Sequence, residues 1–208
     1  MSILALDTST GYLSIAIVDD DTPFYEETIF SLKYHSILLP KEIERALEIT
    51  KKEIKKIYVA LGPGSFTGLR VGLSVVKGIA LGGDIPIVGV PTFNALAYNF
   101  YPEGNLFIIM KYRLNMTYYG VYKAMNKRWH CERLEVAEVS KIPRLVNGER
   151  IAIVKENYKE LLDIFPEAIP ITPRASLLLK GGEGIEPANI DTLTPIYIEP
   201  AEAEKIKR

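Results

Sequence analysis

Apolar and polar residues alternate in short blocks at the start of the chain. Ile3-Leu4-Ala5-Leu6-Asp7 and Leu13-Ser14-Ile15-Ala16-Ile17-Val18 are apolar runs separated by Thr8-Ser9-Thr10-Gly11, the pattern of a β-hairpin. Asp19-Asp20-Asp21-Thr22-Pro23 marks a second turn, and Phe24 to Phe30 reads as a third strand. The period then lengthens. Leu39, Ile43, Ala46 and Leu47 fall on one face of a helix over 36–49, with Pro40 in its first turn, where a missing N–H is tolerated. Ile57-Tyr58-Val59-Ala60-Leu61 predicts a strand, residues 66–81 a helix, and Ile85 to Val90 another strand. Thr92 is placed to cap a short helix over Asn94 to Tyr98.

The element order βββαβα, followed by a strand and a helix, is that of the ribonuclease-H-like lobe found in actin and sugar-kinase-type folds. The second half repeats it loosely, with strands at 105–110, 116–124, 129–136 and 150–154 and helices at 157–164 and 174–180. The fold expected is α/β: a two-lobed actin-like (ribonuclease-H-like, ASKHA) protein, each lobe a mixed sheet with helices. Residues 1–100 would form the N-terminal lobe carrying the partner-binding helices, and 101–208 a more divergent C-terminal lobe with an irregular tail. The lobes would join near Tyr101-Pro102-Glu103-Gly104. In the tail, a strand is expected near Pro195 to Ile198 and a short helix over Ala201 to Arg208.

Composition narrows the setting. The 208 residues are 48% hydrophobic and 25% charged, which is the profile of a globular protein with a packed core. A net charge of −1 gives no global attraction to nucleic acid, so any nucleic-acid contact would need a local patch or a partner. A single cysteine, Cys131, excludes an internal disulfide and suits a reducing cytosol. The start of the chain lacks the basic and long apolar stretches of a signal peptide, and Val71 to Val90, the best membrane candidate, contains Lys77, Asp84 and Pro86. A cytoplasmic location without membrane attachment is expected. The absence of glutamine beside abundant Lys, Glu and Ile points to a thermophilic source.

One stretch stands out chemically. Gly62-Pro63-Gly64-Ser65-Phe66-Thr67-Gly68-Leu69-Arg70-Val71-Gly72 joins a strand to a helix, an arrangement that turns backbone N–H groups toward an anion. Glycines there also serve simply to turn the chain and to let a helix approach closely. No Gly-Lys-Ser/Thr follows, so this is not a Walker loop. Taken with Leu4-Ala5-Leu6-Asp7-Thr8-Ser9-Thr10 and His35-Ser36-Ile37-Leu38-Leu39-Pro40, the loop resembles the TsaB (YeaZ) family over residues 1–100. That family belongs to the bacterial machinery that places threonylcarbamoyl on the tRNA adenosine next to the anticodon. The resemblance implies a TsaD-type catalytic partner, a TsaE-type ATPase reached through the complex, only indirect tRNA contact, and a homodimer when the partner is missing.

Actin-like enzymes hold a metal-nucleotide between acidic residues at the ends of the first strand of each lobe. Asp7 fits the first position, and with Thr8, Ser9, Gly64 and Ser65 it forms a candidate nucleotide-binding set. The second position reads Met110-Lys111-Tyr112-Arg113, with no carboxylate. Relatives in the resembled family carry Asp-Ala-Arg there, and the closing Tyr-Leu-Arg is replaced by Tyr197-Ile198-Glu199. His130 and Cys131 are neighbours on a strand and do not make a zinc site, and Ser9, His35 and Asp7 lack a nucleophile elbow. No catalytic residue, metal site or cofactor is predicted.

What remains is surface. Gly68, Gly72, Ser74 and Gly78 form a stripe of small residues, and helix 36–49 carries apolar residues on more than one face. A partner face is therefore expected from His35, Ser36, Leu38, Leu39, Ile43, Gly68, Arg70, Val71, Gly72 and Val75. Packing of this stripe within the lobe is the competing explanation. Lys51 to Lys56 reads as a solvated turn at a helix end, with tRNA contact the alternative. Tyr112, Tyr118, Tyr119, Tyr122 and Trp129 read as strand faces that are buried or half-buried, with a base-stacking platform as the alternative. The rival function is an ASKHA-type enzyme transferring a phosphoryl or carbamoyl group with Asp7, the Gly62–Gly72 loop and Arg70.

Overall fold

The structure is a computed structural model that describes residues 1–20 and 22–198. The chain divides into two compact units. The first takes in Met1–Leu96 and Pro173–Ile196, and the second Ala97–Thr172 with Tyr197 onward.

In the first unit, β1 (Ser2–Asp7), β2 (Tyr12–Asp19) and β3 (Thr22–Phe30) form an antiparallel meander. β4 (Lys56–Gly62) and β5 (Ile87–Pro91) extend it in parallel on the other side of β1, giving the order β3-β2-β1-β4-β5. Strand β1 is thus central, and all its residues are buried. Its side chains sort by the two-residue period of a strand. Leu4 and Leu6 pack with Leu39 and Ile43 of α1 (His35–Thr50) and with Val76 and Ala80 of α2 (Phe66–Gly83). Ile3 and Ala5 pack with Val88, Val90 and Ala95 on the opposite face. A strand covered on both faces has no polar side to show, which is why the run is apolar without alternation.

That opposite face is completed from far along the chain. Ala175 and Leu178, the latter in α5 (Leu177–Gly181), join the same cluster beside α3 (Thr92–Ala97). Glu26 of β3 fixes the returning segment, accepting hydrogen bonds from Arg174 at 2.6 and 3.1 Å and from the Ser176 N–H at 2.9 Å. Ser14 Oγ accepts from the Ala175 N–H at 2.9 Å. Residues 173–196, which the sequence reading assigned to the second lobe, therefore pack within the first unit. Thr92, expected as a helix cap, instead accepts the Gly62 N–H on its Oγ1 at 3.1 Å and steadies the end of β4.

In the second unit, β6 (Asn105–Arg113), β7 (Met116–Met125) and β8 (Arg128–Glu138) form a second meander. A 3-10 turn (Val139–Arg144) leads to β9 (Arg150–Val154), α4 (Lys155–Leu161) and β10 (Ile169–Ile171). The sheet order is β10-β9-β6-β7-β8. Phe107 stacks on Tyr119 with ring centroids 5.4 Å apart, in a core shared with Ile142, Ile153, Leu161 and Phe165. Tyr118, Tyr122 and Trp129 are also buried, with the Trp129 indole N–H donating to the Phe100 carbonyl at 3.2 Å. The aromatic residues of β7 and β8 are core, not a stacking platform.

Helix α4 begins at Lys155 and α5 at Leu177, both displaced from the expected spans, and β10 was not foreseen. The segment near Pro195–Ile198 is irregular, although the Ile196 N–H does donate to the Leu61 carbonyl at 2.7 Å. Glu199 and the helix expected at Ala201–Arg208 lie outside the described residues.

The basic run begins where α1 ends. Lys51 takes the left-handed cap conformation and its N–H returns to the Leu47 carbonyl. Lys52 Nζ meets Asp19 Oδ2 at 2.6 Å, and the Met1 amino group meets Asp19 Oδ1 at 3.0 Å. Lys52 first, then the amino group, hold the Asp19 carboxyl down to about 2. A carboxylate depressed by folding stabilises the fold above its unfolded value and loses that contribution as pH falls through the folded one. Acid titration followed by circular dichroism should therefore show destabilisation between roughly pH 4 and pH 2, and Lys52→Met should shrink that acid step.

Candidate functional site

The two motifs singled out in the first unit meet at one place. Asp7 ends β1 and leads into the turn Thr8–Gly11, onto which the glycine loop and the first turn of α2 are packed. Asp7, Thr8, Ser9 and Thr10 are all buried. Asp7 Oδ1 accepts the Ser9 N–H at 2.8 Å, while Oδ2 and Ser9 Oγ are buried without a hydrogen-bond partner. Burial pushes the Asp7 carboxyl above the usual carboxylate range, against the opposing pull of Ser9.

The contact is made by backbone. The Ser65 N–H donates to the Ser9 carbonyl at 2.6 Å, and Thr8 Oγ1 donates to the Gly68 carbonyl at 2.8 Å. A Cβ on Gly64 would stand 2.1 Å from the Ser9 carbonyl oxygen, and one on Gly68 would stand 2.1 Å from that of Thr8. One on Gly72 would meet Thr8 Oγ1 at 2.2 Å. Ser65 is the N-cap of α2, its Oγ accepting the Gly68 N–H at 3.1 Å. Asp7, Thr8, Ser9, Gly64 and Ser65, the candidate nucleotide set, thus lie together at the end of β1. The strand end and turn, however, are closed beneath the loop.

In the second unit, the corresponding strand end carries Lys111. Its side chain pairs with Glu160 of α4, and its N–H donates to Asn157 Oδ1 at 3.0 Å. A cation engaged with Glu160 of α4 offers nothing to a divalent metal. Among the described residues, no three or more His, Cys, Asp or Glu side chains are gathered as potential ligands. None of the helices described is long and apolar enough to cross a membrane.

The residues expected at a partner face divide. Leu39 and Ile43 lie in the core beneath α1, and Gly68 and Gly72 are buried against Thr8. His35 is buried as well. Leu38, Val71 and Val75 are partly buried on the edge of the same core, and Ser36 and Arg70 are exposed. Four apolar side chains not on that expected face stand exposed around the starts of α1 and α2. They are Leu32, Tyr34, Ile37 and Phe66, with Leu32 69% and Ile37 57% exposed. The Arg70 guanidinium lies 3.8 Å from the Phe66 ring centroid. Ile37 was open to inference: two positions before Leu39, it sits about 200° around the helix from the buried stripe.

Known proteins place this arrangement. The family model described as TsaD, tRNA N6-adenosine threonylcarbamoyltransferase, matches residues 30–172. The Bacillus subtilis tRNA threonylcarbamoyladenosine biosynthesis protein TsaB is 31% identical, covering 98% of this chain and 96% of the relative. The Escherichia coli TsaB is 28% identical, with 93% and 84% covered. Among solved structures, YeaZ from Pseudomonas aeruginosa superposes with a TM-score of 0.79 at 21% identity, covering 95% of this chain and 99% of that one. The ethanolamine utilization protein EutJ from Carboxydothermus hydrogenoformans shares the fold at a TM-score of 0.52 and 13% identity, with 89% of each chain covered. The chain therefore belongs to the family that the TsaD model describes and, within it, to the TsaB (YeaZ) tRNA threonylcarbamoyladenosine biosynthesis proteins, and its fold is the two-lobed actin-like one.

Proposed function

We propose that this chain is a non-catalytic subunit of the machinery that places threonylcarbamoyl on the tRNA adenosine next to the anticodon. It holds a TsaD-type catalytic subunit through the exposed side of α1 and α2, and supports a TsaE-type ATPase through the complex. Alone it pairs with a second copy, and it meets tRNA indirectly, in keeping with its net charge of −1. The observation that carries this reading is the closure of the Asp7–Thr10 turn beneath the glycine loop, where a nucleotide-binding actin-like lobe needs an open turn. Lys111, paired with Glu160 where the second carboxylate would stand, supports it.

One observation favours the rival enzyme: Asp7 Oδ2 and Ser9 Oγ are buried oxygens without partners, the kind of atoms a metal or phosphate would engage. Asp7→Asn separates the two. In the scaffold reading, the variant binds a TsaD-type subunit with unchanged affinity by titration calorimetry and supports tRNA modification in reconstitution. Its stability also diverges from the wild type in a defined direction. A carboxyl raised by burial loses stability as pH rises through its folded value, so the wild type weakens on that side and the Asn variant does not. Loss of modification with partner affinity intact would make Asp7 a working residue and overturn the proposal.

A further inference from the structure

The loop between the 3-10 turn and β9 is fixed at its start and open at its tip. The Leu145 and Val146 N–H groups return to the Ile142 carbonyl at 2.8 and 3.3 Å, and both side chains pack at the edge of the second unit's core. Asn147 and Gly148, which follow, are exposed. Of the eight asparagines in the sequence, Asn147 alone is followed by glycine. The order matters because the backbone nitrogen of the next residue can attack an asparagine carboxamide, and a side chain on that residue crowds the approach.

The local geometry leaves that attack unobstructed. Gly148 sits at φ +81°, and a Cβ built on it would meet nothing within 4 Å. The Asn147 N–H donates to Glu149 Oε2 at 2.5 Å. Among the described residues, no acceptor takes the Gly148 N–H and no hydrogen bond engages the Asn147 carboxamide. Three other asparagines are engaged. Asn157, buried in α4, accepts the Lys111 N–H at 3.0 Å, and Asn189 Oδ1 accepts the Asp191 N–H at 2.9 Å. Asn94 Nδ2 donates to the Gly181 carbonyl at 3.5 Å. Asn126 is exposed like Asn147, but Lys127 follows it, and both take left-handed conformations in the β7–β8 turn.

We propose that Asn147-Gly148 is a site of self-modification, at which the folded chain loses ammonia and converts Asn147 to isoaspartate. The Gly148 nitrogen gives its proton to solvent base and attacks Asn147 Cγ. The carboxamide nitrogen takes up a proton and leaves as ammonia, closing a succinimide ring. Water then opens one of the two ring C–N bonds. Opening at Cγ leaves aspartate; opening at the main-chain carbonyl carbon routes the chain through Cγ and leaves isoaspartate. Either product adds one negative charge to a chain of net charge −1 and sets it beside Glu149. Isoaspartate also lengthens the backbone by a methylene just ahead of β9, which pairs with β6 from Arg150 onward. The change thus marks the age of a chain in its second unit, and it is independent of the scaffold reading.

The test ages the full folded chain at neutral and mildly alkaline pH, with a parallel sample in urea. Peptide mapping by mass spectrometry follows each asparagine, and electron-transfer fragmentation separates isoaspartate from aspartate. In the folded chain, Asn147 should convert at least about tenfold faster than Asn126, with isoaspartate among the products and a rate that rises with hydroxide. Its rate should also lie within about threefold of that in urea, because the tip of the loop is open. Asn147→Gln, at an exposed position where the variant should fold, should abolish the isoaspartate signal. A folded chain that stays intact while the unfolded one converts would mean that the fold locks the turn, and would overturn the site. Isoaspartate retained in the Gln variant would place it elsewhere and do the same. Aspartate formed without isoaspartate would mean direct hydrolysis and overturn the ring closure.

Discussion

Gly68→Ala should lower the unfolding free energy by about 3 kcal/mol in denaturant titration, although alanine is the better helix former. The added methyl would stand 2.1 Å from the Thr8 carbonyl oxygen, a main-chain atom that cannot swing aside. Either α2 lifts from the β1–β2 turn, breaking the Thr8 Oγ1 bond to the Gly68 carbonyl, or the turn itself deforms. Gly78→Ala, nearly three turns further along the same helix, provides the contrast. Nothing lies within 4 Å of its added Cβ, so the substitution should stabilise by about 0.5–1 kcal/mol. Equal effects at the two sites would mean that the close seating of α2 on the turn does not hold the fold together.

Replacing Ile37 and Phe66 together by serine should weaken binding to a TsaD-type subunit about a hundredfold or more, with stability changed by no more than about 0.5 kcal/mol. Both side chains are more than half exposed, so neither contributes much to the core. Large apolar side chains at helix starts are the anchors an interface would bury, and the Phe66 ring also carries the Arg70 guanidinium. Titration calorimetry and thermal unfolding of the same preparations separate the two effects. Unchanged affinity would remove the starts of α1 and α2 from the partner face and take the proposed mode of assembly with them.

The sequence reads clearly where one residue pattern admits one structure. β1 and β2 declare themselves because both their faces are apolar and a turn separates them. The pairing of Asp7-Thr8-Ser9 with the glycine loop also foretold which residues would meet. What could not be read was the direction in which the glycines face. Gly68 and Gly72, four apart, are equally suited to a partner helix and to a turn of the same lobe; only the position of Thr8 decides it. β10 spans three residues, too few to establish a period. The assignment of residues 173–196 failed for a different reason. Arg174, Ala175 and Ser176 bond to Glu26 and Ser14, more than a hundred positions away, and no local pattern announces such a contact.

That long-range return bears on how the protein is born. As the chain leaves the ribosome, β1 to β5, α1 and α2 can assemble early, because their contacts are close in sequence. The Ile3, Ala5, Val88 and Val90 side of the sheet has only Ala95 of α3 against it until Ala175 and Leu178 arrive. Throughout synthesis of the intervening unit, the nascent first unit exposes a sticky apolar face, the condition under which chains associate wrongly. Nascent chains arrested before Pro173 should therefore recruit trigger-type holding chaperones, and those arrested beyond Ile196 should release them.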